Sequence, residues 1–270
     1  MDKVNPQYDL YKSNRIVIKD LLDFVRFRIC FTASFLAITG CLLFNPLDII
    51  KLIFISLSSF FVCAGVYSYN RITDKEEDIV NIKKLNPFVY NKGILVVVCC
   101  FLLGFIFSLF LSAVSIFFYI TSTITGLLYS RFRVKRYLLV KNLYTGFGAS
   151  QVFLLGAASF TNEAVMYYFL FSTLFFIGSI ISDLRDYKGD KAAGVTTIPV
   201  HFGYNLCKKF IYLLLIAFSI LILKLNLSEL VILLPFVLLM VFFLNRNRVD
   251  AAHTSVIASL IFLVIRLVAV

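Results

Sequence analysis

Apolar positions in this chain fall into nine long runs separated by short polar segments. The runs lie near residues 24–44, 49–70, 93–111, 112–130, 138–159, 164–182, 208–224, 229–244 and 252–270. Each approaches the ~20 residues that carry a helix across a bilayer, so the pattern predicts nine spanning helices. The stretch from Ile94 to Tyr129 is too long for one span, and the expected break lies near Leu111–Ala113, where no charge marks the turn. Residues 1–23 are polar and of mixed charge, and the first apolar run is long enough to span. They read as a cytoplasmic N-terminal segment ahead of a membrane domain over 24–270, with no cleavable signal peptide.

Composition narrows the class. Of 270 residues, 60% are hydrophobic and only 15% charged, against roughly 45–50% and 25% in soluble domains. A soluble core cannot hide that much apolar surface, which excludes a soluble enzyme, a disordered chain and a coiled coil. The six cysteines form no Cys-x-x-Cys pair and mostly sit in apolar runs, so they read as packing residues. His201 and His253 have no partner at metal-ligand spacing and are assigned no chemistry.

Charge then orients the chain. Lys and Arg number 26 against 15 Asp and Glu. With the N-terminus in the cytoplasm, 23 of the 26 basic residues fall on the inside, leaving Lys51, Lys224 and Arg266 outside. One helix more or fewer in the middle would break this alternation. The basic excess is therefore a topology signal and implies no nucleic-acid partner. The Lys, Ile and Phe bias leans towards a prokaryotic cell membrane.

The acids carry the chemistry. Seven of the 15 lie in two short segments, one after the second run and one after the sixth, on the same side of the membrane. In the first, Asn70, Asp74 and Asp78 stand at i, i+4 and i+8. In the second, Asp183, Asp186 and Asp190 stand at i, i+3 and i+7. Both spacings put the oxygens on one stripe of a helix. Either segment alone reads equally well as solvated charge that ends a helix. Two facing carboxylate stripes repel unless cations sit between them, and such hard oxygen donors suit Mg²⁺ bridged to substrate phosphates. That arrangement binds a diphosphate and stabilises it as a leaving group. The same helix–acid–helix order in both halves suggests a topological internal repeat.

These segments resemble the motifs of the UbiA superfamily of intramembrane prenyltransferases. Asn70, Asp74 and Asp78 match its Asn-x-x-x-Asp-x-x-x-Asp motif, and Asp186 and Asp190 its Asp-x-x-x-Asp motif, with Asp183 just upstream. The stretch Gly189-Asp190…Gly194…Thr197-Ile-Pro199…Gly203 is similar to another family element, as is Tyr129 followed by Arg133 and Lys135. The resemblance runs from about residue 20 to the end. It implies nine helices around a central cavity, Mg²⁺ as cofactor, an isoprenyl diphosphate donor and a hydrophobic or aromatic acceptor within the bilayer. Asn70, Asp74, Asp78, Asp186 and Asp190 would position the metal, and Asp74 and Asp186 are the catalytic acids. Asp183 would be a ligand or organise the acceptor, and Tyr129 would cap the head or face the developing cation. Arg133, Lys135 and Lys141 would contact diphosphate oxygens. The chain departs from the family at Arg71, where many members have an acid, and at Leu85-Asn86-Pro87-Phe88, where an Arg-Pro pair is common. Arg71 or Lys84 would then replace the missing diphosphate-binding arginine. The competing readings are a cation transporter, disfavoured by the near absence of mid-span acids, and a non-catalytic prenyl-lipid binder.

Overall fold

A computed structural model describes residues 18–75, 79, 85–192 and 194–269. All regular structure among these residues is helical. A short α1 (Ile18–Phe24) precedes α2 (Phe27–Phe44), α3 (Ile49–Thr73), α4 (Gly93–Ser108), α5 (Ala113–Arg131), α6 (Val140–Ala157) and α7 (Asn162–Ala192). A short α8 (Ile198–Phe202) leads to α9 (Tyr204–Lys224), α10 (Leu234–Asn245) and α11 (Val249–Ala269). The nine expected spans are α2–α7 and α9–α11. Seven are long and apolar enough to cross a membrane, counting α10 with the 3-10 turn before it. Of the other two, α4 is shorter, and α6 is diluted by Lys141, Asn142, Thr145, Ser150 and Gln151.

The break within the 94–129 run falls at 109–112. It needs no charge because Ser112 caps α5, its side chain accepting from the Ser115 amide at 3.2 Å. The sixth run does not stop near residue 182; the helix continues through the second acidic segment to Ala192. Consecutive helices pack as neighbours, and α11 returns onto α2 and α7 to close the bundle. Lipid gives no hydrophobic drive to helix pairing, so close backbone approach and buried hydrogen bonds carry it. Ser34 donates to the Ser56 carbonyl at 2.9 Å and Ser58 to the Gly104 carbonyl at 3.1 Å. The crossing of α2 and α6 is the tightest. A methyl group at Gly156 would overlap the Ala37 carbonyl oxygen, and one at Gly40 the Phe153 carbonyl oxygen. At the same end Asn45 donates to the Ala157 carbonyl at 3.0 Å. None of the six cysteines is paired; Cys30, Cys41, Cys100 and Cys207 are buried.

Alternation of direction puts the ends of α3, α5 and α7 and the starts of α4, α6 and α9 at one end of the bundle. The connection from α7 to α9 turns through Gly194 and Gly203, both at positive φ (68° and 91°), with Pro199 in the first turn of α8. This accounts for the spacing of Gly, Pro and Gly in that stretch.

Candidate active site

The last turn of α3 carries two rows of side chains. Asn70 and Asp74 form one row, and Tyr67, Arg71 and Lys75 form the next, turned by about 100°. The first row faces α5 and the turn after it. Asn70 Nδ2 donates to Asp74 Oδ2 at 3.0 Å, and Ser130 Oγ donates to Asn70 Oδ1 at 3.2 Å. Lys135 Nζ sits 2.7 Å from Asp74 Oδ1. The turn explains why Lys135, not Arg133, reaches this acid. Arg133 is exposed at φ 49° and caps the 3-10 turn Val134–Arg136, whose tight winding brings Lys135 back beneath α3.

A second constellation joins α6 and α7. Lys141 Nζ makes a close ion pair with Asp183 Oδ1. Asn142 Nδ2 donates to Asp183 Oδ2 at 2.9 Å and to Ser179 Oγ at 3.0 Å. The Asp183 side chain is only 4% exposed. A carboxylate so far from water is tolerated because both oxygens are engaged. Asn142 is likewise buried, and its own Oδ1 has no protein donor. Sequence reasoning passed over Asn142; the signal was a Lys-Asn pair opening an otherwise apolar run, since intramembrane polar residues face a partner or a site.

Tyr129 stands between the constellations. Its hydroxyl is within electrostatic reach of both Asp74 and Asp183 and adjoins Thr145. Its ring lies 5.5 Å from that of Tyr144. The structure thus brings together Asn70, Asp74, Tyr129, Lys135, Lys141 and Asp183. Asp186 has a different partner: its carboxylate, 53% exposed, accepts from Nε and Nη2 of the neighbouring Arg185 guanidinium at 2.9 and 3.1 Å, and Arg185 also approaches Asp250 of α11 at 3.9 Å. Asp190 is half-buried one turn further on. Asp78 and Lys84 lie outside the described residues. Arg71, expected at the diphosphate, points away from Asp74. It makes a two-pronged ion pair with Asp23 of α1, at 3.0 and 3.3 Å, because it belongs to the second row of α3.

Asn70, Asp74, Asp183, Asp186 and Asp190 offer oxygen donors, as a hard cation such as Mg²⁺ requires. Among the described residues no three His, Cys, Asp or Glu side chains gather closely enough to hold a metal ion. That is compatible with Mg²⁺, which keeps waters and takes one or two carboxylates together with substrate phosphates.

Comparison with known proteins settles the family. Residues 29–265 match the UbiA prenyltransferase family. The chain belongs to this family. Among similar UbiA relatives is the digeranylgeranylglyceryl phosphate synthase of Methanococcus aeolicus, 33% identical over 198 residues that cover 70% of each chain. The enzyme of the same name from Methanocaldococcus jannaschii is 31% identical over 199 residues, covering 69% of this chain and 68% of that one. A UbiA homologue from Archaeoglobus fulgidus, solved with GPP and Mg²⁺, shares the fold with a TM-score of 0.72 at 18% identity, over 93% of this chain and 100% of that one. The protein is accordingly an integral membrane enzyme that transfers prenyl groups.

Proposed function

We propose that this prenyltransferase moves an isoprenyl group from an isoprenyl diphosphate to a hydroxyl of a prenylated glyceryl phosphate lipid. What carries the acceptor class is the similarity to synthases whose product is digeranylgeranylglyceryl phosphate. Two lysines poised on two acids across Tyr129 support the chemistry. The donor's C1–O bond breaks and the electron pair leaves with diphosphate. The acceptor oxygen bonds to C1 and its proton passes to the released diphosphate. Lys135, with Arg133, faces the departing diphosphate; Asp183 and Lys141 organise the acceptor; Tyr129 shields the allylic cation between them.

Asn70, Asp74, Asp78, Asp186 and Asp190 are the residues that would hold Mg²⁺. When bound, it neutralises the diphosphate and makes it a better leaving group. The site end, which carries nearly all the basic loops, faces the cytoplasm by the positive-inside rule. This gives a soluble diphosphate head direct access.

The test is a donor–acceptor matrix on purified protein in liposomes. Geranylgeranyl diphosphate is offered with geranylgeranylglyceryl phosphate, 4-hydroxybenzoate or no acceptor, with and without Mg²⁺, and products are read by mass spectrometry. Mg²⁺-dependent ether product with the glyceryl phosphate alone supports the proposal. Turnover with the aromatic acceptor instead overturns the acceptor class.

A further inference from the structure

Arg71 poses a question that the chemistry above leaves open. It adjoins Asn70 in sequence, yet its guanidinium is spent on a contact outside the candidate active site. Around it lies a compact knot. Arg71 grips both oxygens of Asp23 at 3.0 and 3.3 Å. Asn86 Nδ2 donates to Asp23 Oδ2 at 3.2 Å and to the Asp20 carbonyl at 2.7 Å, while its Oδ1 accepts from the Phe88 amide at 3.0 Å. Phe24, fully buried, stacks on Phe88 with ring centroids 5.4 Å apart. One turn before Arg71, Tyr67 lies under the Arg26 guanidinium at 5.1 Å; one turn after it, Lys75 lies over Tyr90 at 4.4 Å. Tyr67, Arg71 and Lys75 stand at i, i+4 and i+8, so this row, which runs just past the end of α3, is engaged by Asp23 of α1, by Arg26 after it and by the segment 85–90.

The position matters because α3 ends here. Thr73 is its last residue and Asp74 its C-cap. Terminal turns have unpaired carbonyls and fray unless something outside the helix holds them. Asn70 and Asp74 sit on that turn. A two-pronged guanidinium–carboxylate contact fixes direction as well as distance, which a lysine in the same place would not do. The Asp23 side chain is 62% exposed, and exposed pairs contribute little to global stability. The value of the knot is therefore geometric.

We propose that Asp23 and Arg71, bridged by Asn86, are positioning residues for the first acidic motif. They hold the end of α3 from behind so that Asn70 and Asp74 present their oxygens to the ligand, and they do not touch it. The binding arm of the test rests on the proposed diphosphate chemistry; the exchange arm does not.

The experiment uses the full chain in nanodiscs. Wild type, Asp23→Ala, Arg71→Ala, Arg71→Lys and the charge exchange Asp23→Arg/Arg71→Asp are compared. Three quantities are read: Mn²⁺ binding by EPR in the presence of inorganic diphosphate, amide exchange over residues 68–75, and melting temperature. Loss of an outer support of a metal site costs about 10-fold in affinity or more. The expected result is about that loss in Asp23→Ala and Arg71→Ala alike, with faster exchange at 68–75 and an unchanged melting temperature. Arg71→Lys recovers little, and the charge exchange recovers most of the affinity. If Asp23→Ala binds like wild type while Arg71→Ala does not, Arg71 serves the diphosphate directly and the proposal is wrong. A charge exchange that stays as weak as the single variants also overturns it. If wild type itself binds no Mn²⁺ with diphosphate, the proposed chemistry fails, and exchange alone decides. Equal exchange at 68–75 in wild type and Asp23→Ala then refutes the positioning role, and faster exchange in the variant upholds it.

Discussion

The two halves of the site contain the same four residue types. One is Asp74, Lys135, Asn70 and Ser130 at the ends of α3 and α5 and on the turn that follows α5; the other is Asp183, Lys141, Asn142 and Ser179 on α6 and α7. In each, an amide donates to the carboxylate and an ammonium neutralises it. Their surroundings differ. Asp74 caps a helix end, its side chain is 15% exposed, and its lysine is carried on a turn. Asp183 lies within a continuous helix at 4% exposure, and its lysine is in the first turn of α6. The same contacts therefore have different consequences. At the helix end a cation can take the place of Lys135 beside Asp74 and leave the ammonium free for an anion. In the interior neither partner can leave without stranding the other in low dielectric.

The largest expected effect is at Asp183. Asp183→Ala strands Lys141 and should cost about 3–5 kcal/mol as well as activity. Asp183→Ala with Lys141→Met should recover much of the melting temperature and none of the turnover. Thermal melting in detergent with product assay separates the two, and a single variant that melts like wild type would erase the contrast between the halves.

Next comes Asp74→Ala. It should lower turnover by ~10²-fold or more while changing stability by no more than about 1 kcal/mol. A melting shift as large as that of Asp183→Ala would mean that both constellations are structural.

Asp186→Asn sharpens the comparison from a third position. Its carboxylate is over half exposed and paired with Arg185, so melting should not change. Mn²⁺ affinity in the presence of diphosphate should fall about 10-fold, measured by EPR. Unaltered affinity would remove Asp186 from the metal residues and leave Asp183 as the acid of the second segment.

The smallest effect is on the α1 tether. Burial raises the pKa of Asp23, but Arg71, the Asn86 hydrogen bond and Arg26 outweigh it and hold the carboxyl below its ordinary range. A depressed pKa means that the contact stabilises above the unfolded value, near 3.9, and is lost as pH falls through the folded one. Amide exchange in α1, corrected for intrinsic rates, should be flat from about pH 5 to 8 and rise only below about pH 4.

Much of the molecule was legible along the chain. Helix number followed from run length, and even the uncharged break near 111 was found, since Ser112 caps the next helix locally. The stripe Asn70–Asp74 was readable from helical phase, as was the Gly194, Pro199, Gly203 connector from backbone preference. Arg71 lies on a contact that the sequence did not indicate. It was expected to replace the family's diphosphate-binding arginine, but it stands a 100° turn from Asn70 on the helix and its guanidinium meets Asp23. Motif spacing does not report burial, so the contrast between Asp183, 4% exposed, and Asp186, 53% exposed, had no signature along the chain.

By itself, then, the sequence determined the class, the count of helices, the end of the bundle that gathers charge and the family motifs. These depend on properties of neighbouring residues: apolar run length, loop charge and helical period. Only the tertiary structure decided which lysine meets which acid, that Asn142 donates to Asp183 and that Arg71 pairs with Asp23. Those outcomes depend on the rotation of one helix against another, which is set by packing at contacts such as Gly156 on Ala37 and has no signature in local pattern.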